Sequence, residues 1–283
     1  MHPPLTRTAP EIDSSADRFA RLAHTIDGHL PGWARRSNPI VRRHLGTSWK
    51  TFTPNFRLLL RIVGLQAAIV VVSFVFPVLF EILMPTVTVA LVLLPGGVLL
   101  YAQILFRVGT ASSAYWADER RNDTLALTLM IPQPARQTIY AKMAASLWRH
   151  LENLMGLAVG AALLSLPLLV VLYDMQFSID AQPLLFRVGV LTGLAASVAR
   201  LWLEPVMVAA FGALFGVLNS ARTPAATATL ITTGAYFLIV TLLRAIPQGP
   251  IARMATETLL PVLAPIALTA GAIWLTERVL RRL

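Results

Sequence analysis

Cysteine is absent from the 283 residues, and charge is scarce, with Asp, Glu, Lys and Arg together making up 13%. Without cysteine there is no disulfide framework and no thiolate metal site. Soluble domains carry about 25% charged residues, so this chain has little with which to dress a water-facing surface. His2, His24, His29, His44 and His150 all lie outside the long apolar runs, which leaves a haem or quinone site in a membrane without ligands. No G-x-x-x-x-G-K-[ST] segment occurs. The chain therefore lacks the backbone amides and lysine that cradle nucleotide phosphates, and is not expected to bind or hydrolyse ATP. Metal-ligand spacing, a Ser/His/Asp set and paired carboxylates within the apolar runs are also missing. Nothing in the sequence points to an enzyme.

Apolar sequence is what the chain has in quantity: 56% of residues are hydrophobic and the mean hydropathy is +0.66. Runs 62–80, 82–106, 153–173, 223–243 and 258–276 contain no Asp, Glu, Lys or Arg. Each is near or above the roughly 18–20 residues a helix needs to cross about 30 Å of hydrocarbon. Run 188–218 is long enough as well, but it carries Arg200 and Glu204. Read as one helix it is a sixth span; the alternative is a short interfacial helix over 183–201 and a shorter span from near Glu204. The single long helix is preferred, giving an all-α, six-span membrane protein. Arg200 and Glu204 are spaced i,i+4, which lets them meet on a helix, and charges at membrane depth cost several kcal/mol unless paired or wet. They either line a translocation path or subunit interface, or sit at the outer headgroup level.

The distribution of Lys and Arg sets the orientation. Arg7, Arg18, Arg21, Arg35, Arg36, Arg42, Arg43, Lys50, Arg57 and Arg61 precede or open the first run, and Arg107, Arg120, Arg121, Arg136, Lys142 and Arg149 fall between the second and third. Arg222, Arg278, Arg281 and Arg282 belong to the same side, against Arg187, Arg244 and Arg253 on the other. Both termini and the loop over 111–145 are thus expected in the cytoplasm of a cell with the chain in its plasma or inner membrane. The net charge of +10 reads as this bias plus attraction to anionic headgroups. Nucleic-acid binding is the rival reading, but no face of interleaved aromatic and basic residues is present.

Residues 1–37 read as a loose tail, with a short amphipathic stretch at 11–24. Asn38-Pro39 is a helix-start pair. After it, Ile40, Val41, Leu45, Trp49, Phe52 and Phe56 alternate with Arg42, Arg43, Lys50 and Arg57, the pattern of a helix lying in the membrane interface over 38–57, bent at Thr53-Pro54. The first apolar run follows with no small-residue cleavage pattern and is expected to act as an uncleaved anchor. Pro95-Gly96-Gly97 is the expected kink of the second span, and Gly156, Gly160 and Ala161 allow close helix contact in the third. After Pro247-Gln248-Gly249-Pro250, residues 251–260 suit a short helix at the outer surface, dipping back toward the membrane.

The loop over 111–145 has helix-forming composition broken at Pro132 and Pro134. Leu125, Leu127, Leu129, Met130 and Ile131 form an apolar patch framed by Glu119, Arg120, Arg121 and Asp123. Such a patch either docks another protein or packs on the chain's own helix ends. The stretch resembles the first cytoplasmic loop of the type-2 family of ATP-binding-cassette transporter permeases, with a pattern of roughly E-R-x-x-G-T-L-x-L-L-x-x-x-P and then a Lys. Here Glu119-Arg120 opens it, Thr124-Leu125 and Leu127 follow, Pro132 comes eight residues after Thr124, and Lys142 ten after Pro132. Asp123 stands in place of the family's Gly. The family's N-P-[IV]-x-x-R-E is matched by Asn38-Pro39-Ile40 and Arg43, with His44 in place of the Glu.

The resemblance implies a permease subunit, most simply of an exporter, working as a dimer of permease chains. A separate ATPase subunit would hold the ATP and magnesium and dock on the loop, through Glu119, Arg120, Thr124, Leu125, Leu127, Pro132 and Lys142, with the interfacial helix at Asn38, Pro39, Arg42 and Arg43 beside it. It also implies a short re-entrant piece before the last span. The alternative is a structural or assembly subunit of a larger membrane complex that uses the same fold without transport.

Overall fold

The computed structural model describes residues 27–46, 56–130, 133–177, 179–246 and 248–282. The expected helix at 11–24, the bend at Thr53-Pro54 and the interfacial residues Trp49, Lys50 and Phe52 lie outside the described residues, as does Pro132. Among those described, all regular structure is helical.

Helix α1 (Pro39–Leu45) begins as its first residues dictate. The Asn38 side chain accepts a hydrogen bond from the Ile40 amide at 2.9 Å, and Pro39 has no amide to leave unpaired. Gly46 closes it at φ 57°, the left-handed conformation that glycine adopts without penalty. Ile40, Val41 and Leu45 are buried with Ala141, Ala144 and Ala145, so this face of α1 packs on protein.

Helices α2 (Phe56–Val72) and α3 (Val78–Arg121) follow, with a boundary that differs from the sequence reading. The charge at Glu81 does not separate the first two apolar runs; the chain breaks at 73–77 instead. The Ser73 hydroxyl turns back onto the Val70 carbonyl at 2.6 Å, and the buried Arg187 donates to the Ser73 carbonyl at 2.9 Å and hydroxyl at 3.2 Å. Pro77 then offers no amide to continue the ladder. Helix α3 absorbs the rest of run 62–80, all of 82–106, and the Glu119-Arg120 motif in one 44-residue helix, about 66 Å long.

Beyond α3 come α4 (Leu125–Leu129), α5 (Ala135–Arg149), α6 (Leu151–Asp174), α7 (Pro183–Leu218), α8 (Arg222–Ala245), α9 (Pro250–Thr258) and α10 (Leu260–Leu280). Residues 183–218 form one helix, without a separate interfacial piece. Five helices, α3, α6, α7, α8 and α10, are long and apolar enough to cross a membrane. Helix α2 has 17 residues, about 25 Å of helix, somewhat short of the roughly 30 Å of hydrocarbon. The described residues are thus all-helical, and the length and composition of these five helices make the protein membrane-embedded.

Helix α7 is the axis of the bundle, packing against α3, α6, α8 and α10. Its closest neighbour is α3, and glycine makes the approach possible. A Cβ on Gly212 would lie 2.7 Å from the Gly109 carbonyl, and one on Gly216 would strike the Ser113 carbonyl. At the far end Gln248 latches α9 in place: it donates to the Leu243 carbonyl at 2.9 Å and accepts from the Thr256 hydroxyl at 2.8 Å.

Candidate functional site

Two clusters of polar side chains hold residues singled out in the sequence. The first sits where α3 ends. Glu119 and Lys142, separated by 23 residues, meet as a buried ion pair at 2.5 Å, with Lys142 fully enclosed and Glu119 4% exposed. Helix α5 brings Lys142 to this place by burying Thr138, Ile139, Ala141 and Ala145 around it. Its ammonium also lies 3.5 Å from the centre of the Trp116 ring, one turn before Glu119, an arrangement in which the ring face offsets part of the lost hydration. His44, from α1, stacks on Tyr115 at 4.2 Å, and its Nε2 stands 3.8 Å from the other Glu119 oxygen, too far for a hydrogen bond. Residues from α1, α3 and α5 therefore converge on one carboxylate.

The neighbours of Glu119 tie down two more helices. Arg120 donates to the carbonyls of Val217 and Leu218, the latter at 2.8 Å, and so satisfies the last turn of α7. Asp118 pairs with Arg222 at the start of α8, with Arg222 Nη2 2.6 Å from Asp118 Oδ2. Asp123, where the resembled family has glycine, is in the left-handed region at φ 52°. Asp is one of the few residues other than glycine that tolerates this conformation. The Thr124 amide then donates back to the Glu119 carbonyl at 2.9 Å.

Short helix α4 hangs from this knot. Leu125 is buried, whereas Leu127 is 63% and Met130 76% exposed. Of the sequence-singled loop residues, Glu119, Arg120, Leu125 and Lys142 are thus turned into the fold, with Thr124 half-buried. Leu127 and Met130 face outward. Arg42 and Arg43 are exposed on α1, and Asn38 serves as its cap.

No family model, curated protein or solved structure matches this chain.

Burial lowers the Lys142 pKa to about 8, against the opposing pull of Glu119, and it lowers that of His44 to about 4, helped by the charges of Lys142 and Arg43. Burial similarly brings His150 down to about 4, with Arg149 and Arg107 contributing. A histidine whose folded pKa lies below its unfolded value of 6.5 takes up less proton than the unfolded chain between those limits. Stability therefore falls as pH drops from 6.5 to 4 and changes no further below 4 on this account. His44, whose side chain is 12% exposed, accounts for up to about 3 kcal/mol across that window, and the more exposed His150 for less because water screens it. A His44→Gln variant should lose roughly half of the pH dependence of the melting temperature between pH 6.5 and 4, measured by tryptophan fluorescence in detergent. An unchanged slope would contradict this.

The second cluster lies inside the helical bundle. Arg200 Nε and Glu204 Oε1 pair at 2.8 Å across one turn of α7, with Glu204 fully buried. Tyr101 of α3 donates to Glu204 Oε2 at 2.6 Å, and Tyr236 of α8 donates to Oε1 at 3.2 Å. Glu204 stands fourteen residues before the end of α7, about 21 Å along its axis. The i,i+4 spacing foretold the Arg200–Glu204 pair but not the tyrosines. Their signal was there: a tyrosine in a Leu/Val run must find an acceptor for its hydroxyl, and Tyr101 and Tyr236 are such residues.

Proposed function

We propose that this chain is the membrane-spanning permease subunit of an ATP-driven transporter of the ATP-binding-cassette type, most simply an exporter, and that a separate ATPase chain docks on the 111–145 loop. In this reading α2 completes a six-span domain, α1 lies at the cytoplasmic membrane surface, and both termini are cytoplasmic. Two permease chains pair, and the partner ATPase holds ATP and magnesium.

One observation supports the reading above others. The two motif segments that carry the resemblance, Asn38–His44 and Glu119–Lys142, are far apart in sequence, yet they meet around the Glu119 carboxylate. A short helix with two exposed apolar side chains, Leu127 and Met130, projects beside them. Exposed apolar side chains on an otherwise charged surface favour a protein contact. The knot behind them joins α4 to the start of α8 through Asp118 and to the end of α7 through Arg120. A push on α4 as the ATPase dimer closes would reach those helices as a rigid displacement, because each junction is an ion pair or a set of backbone hydrogen bonds.

Affinity purification from native membranes tests the class. An ATP-hydrolysing chain should co-purify in a ratio of one per permease chain. A stable complex with other membrane proteins and no ATPase would refute the proposal.

A further inference from the structure

A groove of about 760 Å³ runs along the outside of the bundle between α3 and α6, within the roughly 300–1,000 Å³ of sites that hold small molecules. On α3 its lining extends from Ala90 to Arg107, about 25 Å of helix. Most of that length is apolar: Leu93, Leu94, Val98 and Leu100 on one side and Leu157, Leu164 and Leu168 on the other. The floor is open because it is made of glycine. A Cβ added at Gly96, Gly97, Gly156 or Gly160 would meet nothing within 4 Å. The two charged lining residues are at one end, where Arg107, Gln103, Glu152 and Asn153 line the groove; Tyr101 and Ser165 are the other polar side chains in it.

The charges at that end decide what fits. Arg107 and Glu152 are both exposed, and neither has an ion-pair partner among the described residues. His150 is close enough to feel the Arg107 charge but does not line the groove. An Arg and a Glu that line the same end of an apolar trough, neither ion-paired among the described residues, match a headgroup that carries both signs. The trough itself exceeds the roughly 15 Å that one leaflet's hydrocarbon occupies in a core of about 30 Å, so it accommodates one acyl chain together with the headgroup.

We propose that the α3–α6 groove binds a glycerophospholipid with an aminoethyl phosphate headgroup. One acyl chain lies along the glycines, the phosphate meets Arg107, and the ammonium meets Glu152. As a binding site this stands on the geometry of the groove; as the cargo site of a transporter it rests on the permease reading. The connection to that reading is direct. The groove wall is α3, whose far end carries the Glu119 knot, and Tyr101, which lines the groove, also holds Glu204.

The test is native mass spectrometry of the full chain in detergent, titrated with dioleoyl phosphatidylethanolamine or dioleoyl phosphatidylglycerol. Phosphatidylethanolamine should be retained about two- to fivefold over phosphatidylglycerol, the size expected of one exposed ion pair. Arg107→Ala with Glu152→Ala should abolish that preference. Gly160→Leu should fill the trough and cut retention of phosphatidylethanolamine by a similar factor, with the melting temperature unchanged because the site is open. Equal retention of the two lipids would overturn the proposal, as would full retention by Gly160→Leu. So would efficient disulfide cross-linking of Asn153→Cys between two copies in membranes, which would make this face a subunit contact. Specific lipid retention without any co-purifying ATPase would leave the site standing and remove only the cargo role.

Discussion

Lys142→Met should be among the most damaging single changes in the protein. The methionine fills nearly the same volume over the Trp116 ring, so the cost is electrostatic. Glu119, 4% exposed, would be left buried without its cation. Removing one partner of a buried pair costs about 3–5 kcal/mol, which for a chain of this size lowers the melting temperature by roughly 10 °C. Two further results separate this cause from a packing defect. Adding Glu119→Leu to Lys142→Met should recover most of the loss, since replacing both members of a buried pair with apolar residues is often close to neutral. The single variant should also be less impaired at pH 5.5 than at pH 7.5. With Lys142 gone, a main cause of the low His44 pKa is removed, and a protonated His44, 3.8 Å from Glu119, can take the place of the lysine. Equal loss at both pH values, with no rescue by the double variant, would mean the pair is incidental to stability.

Glu204→Leu should have a comparable effect for a related reason. It leaves Arg200 without a partner and removes the acceptor of the Tyr101 and Tyr236 hydroxyls. The expected cost is again about 3–5 kcal/mol. The double variant Arg200→Leu, Glu204→Leu costs only the hydroxyls' bonds to the carboxylate, about 1–3 kcal/mol each, with the Arg200 carbonyl still 3.4 Å from the Tyr101 hydroxyl, and should be the more stable of the two. The double variant also asks what the cluster is for. In a reconstituted complex, loss of transport with assembly retained would place Arg200 and Glu204 on the working path. Unchanged transport and assembly would make them a structural tie between α3, α7 and α8.

How much of this was legible depends on the range of the interaction that decides it. Membrane spans read clearly, because a helix that crosses hydrocarbon must be apolar over its whole length, and 153–173, 188–218 and 223–243 are each contained in one helix. The start of α1 read clearly too, since Asn38 and Pro39 act on their immediate neighbours. The end of α2 did not. Pro77 is a local signal for the break, but Ser73 is also held by Arg187 reaching it from 114 residues away, which nothing local announces. Arg200 and Glu204 were readable as a pair because helical periodicity alone places them together. Glu119 and Lys142 stood out through a resemblance, but their contact with each other depends on the turn at Asp123 and on the packing of α5. The apolar patch 125–131 gave no hint of which leucine would face out; burial of Leu125 and exposure of Leu127 follow from how α4 hangs on the end of α3.

That exposed pair offers the most direct measurement of the central claim. Leu127 and Met130 contact little of their own chain, so Leu127→Asp with Met130→Asp should leave the melting temperature within about 0.5 kcal/mol equivalent of the parent. If α4 is where an ATPase docks, the same double variant should lose the co-purifying ATPase almost completely. Undiminished co-purification of the ATPase with a normally folded double variant would contradict the account.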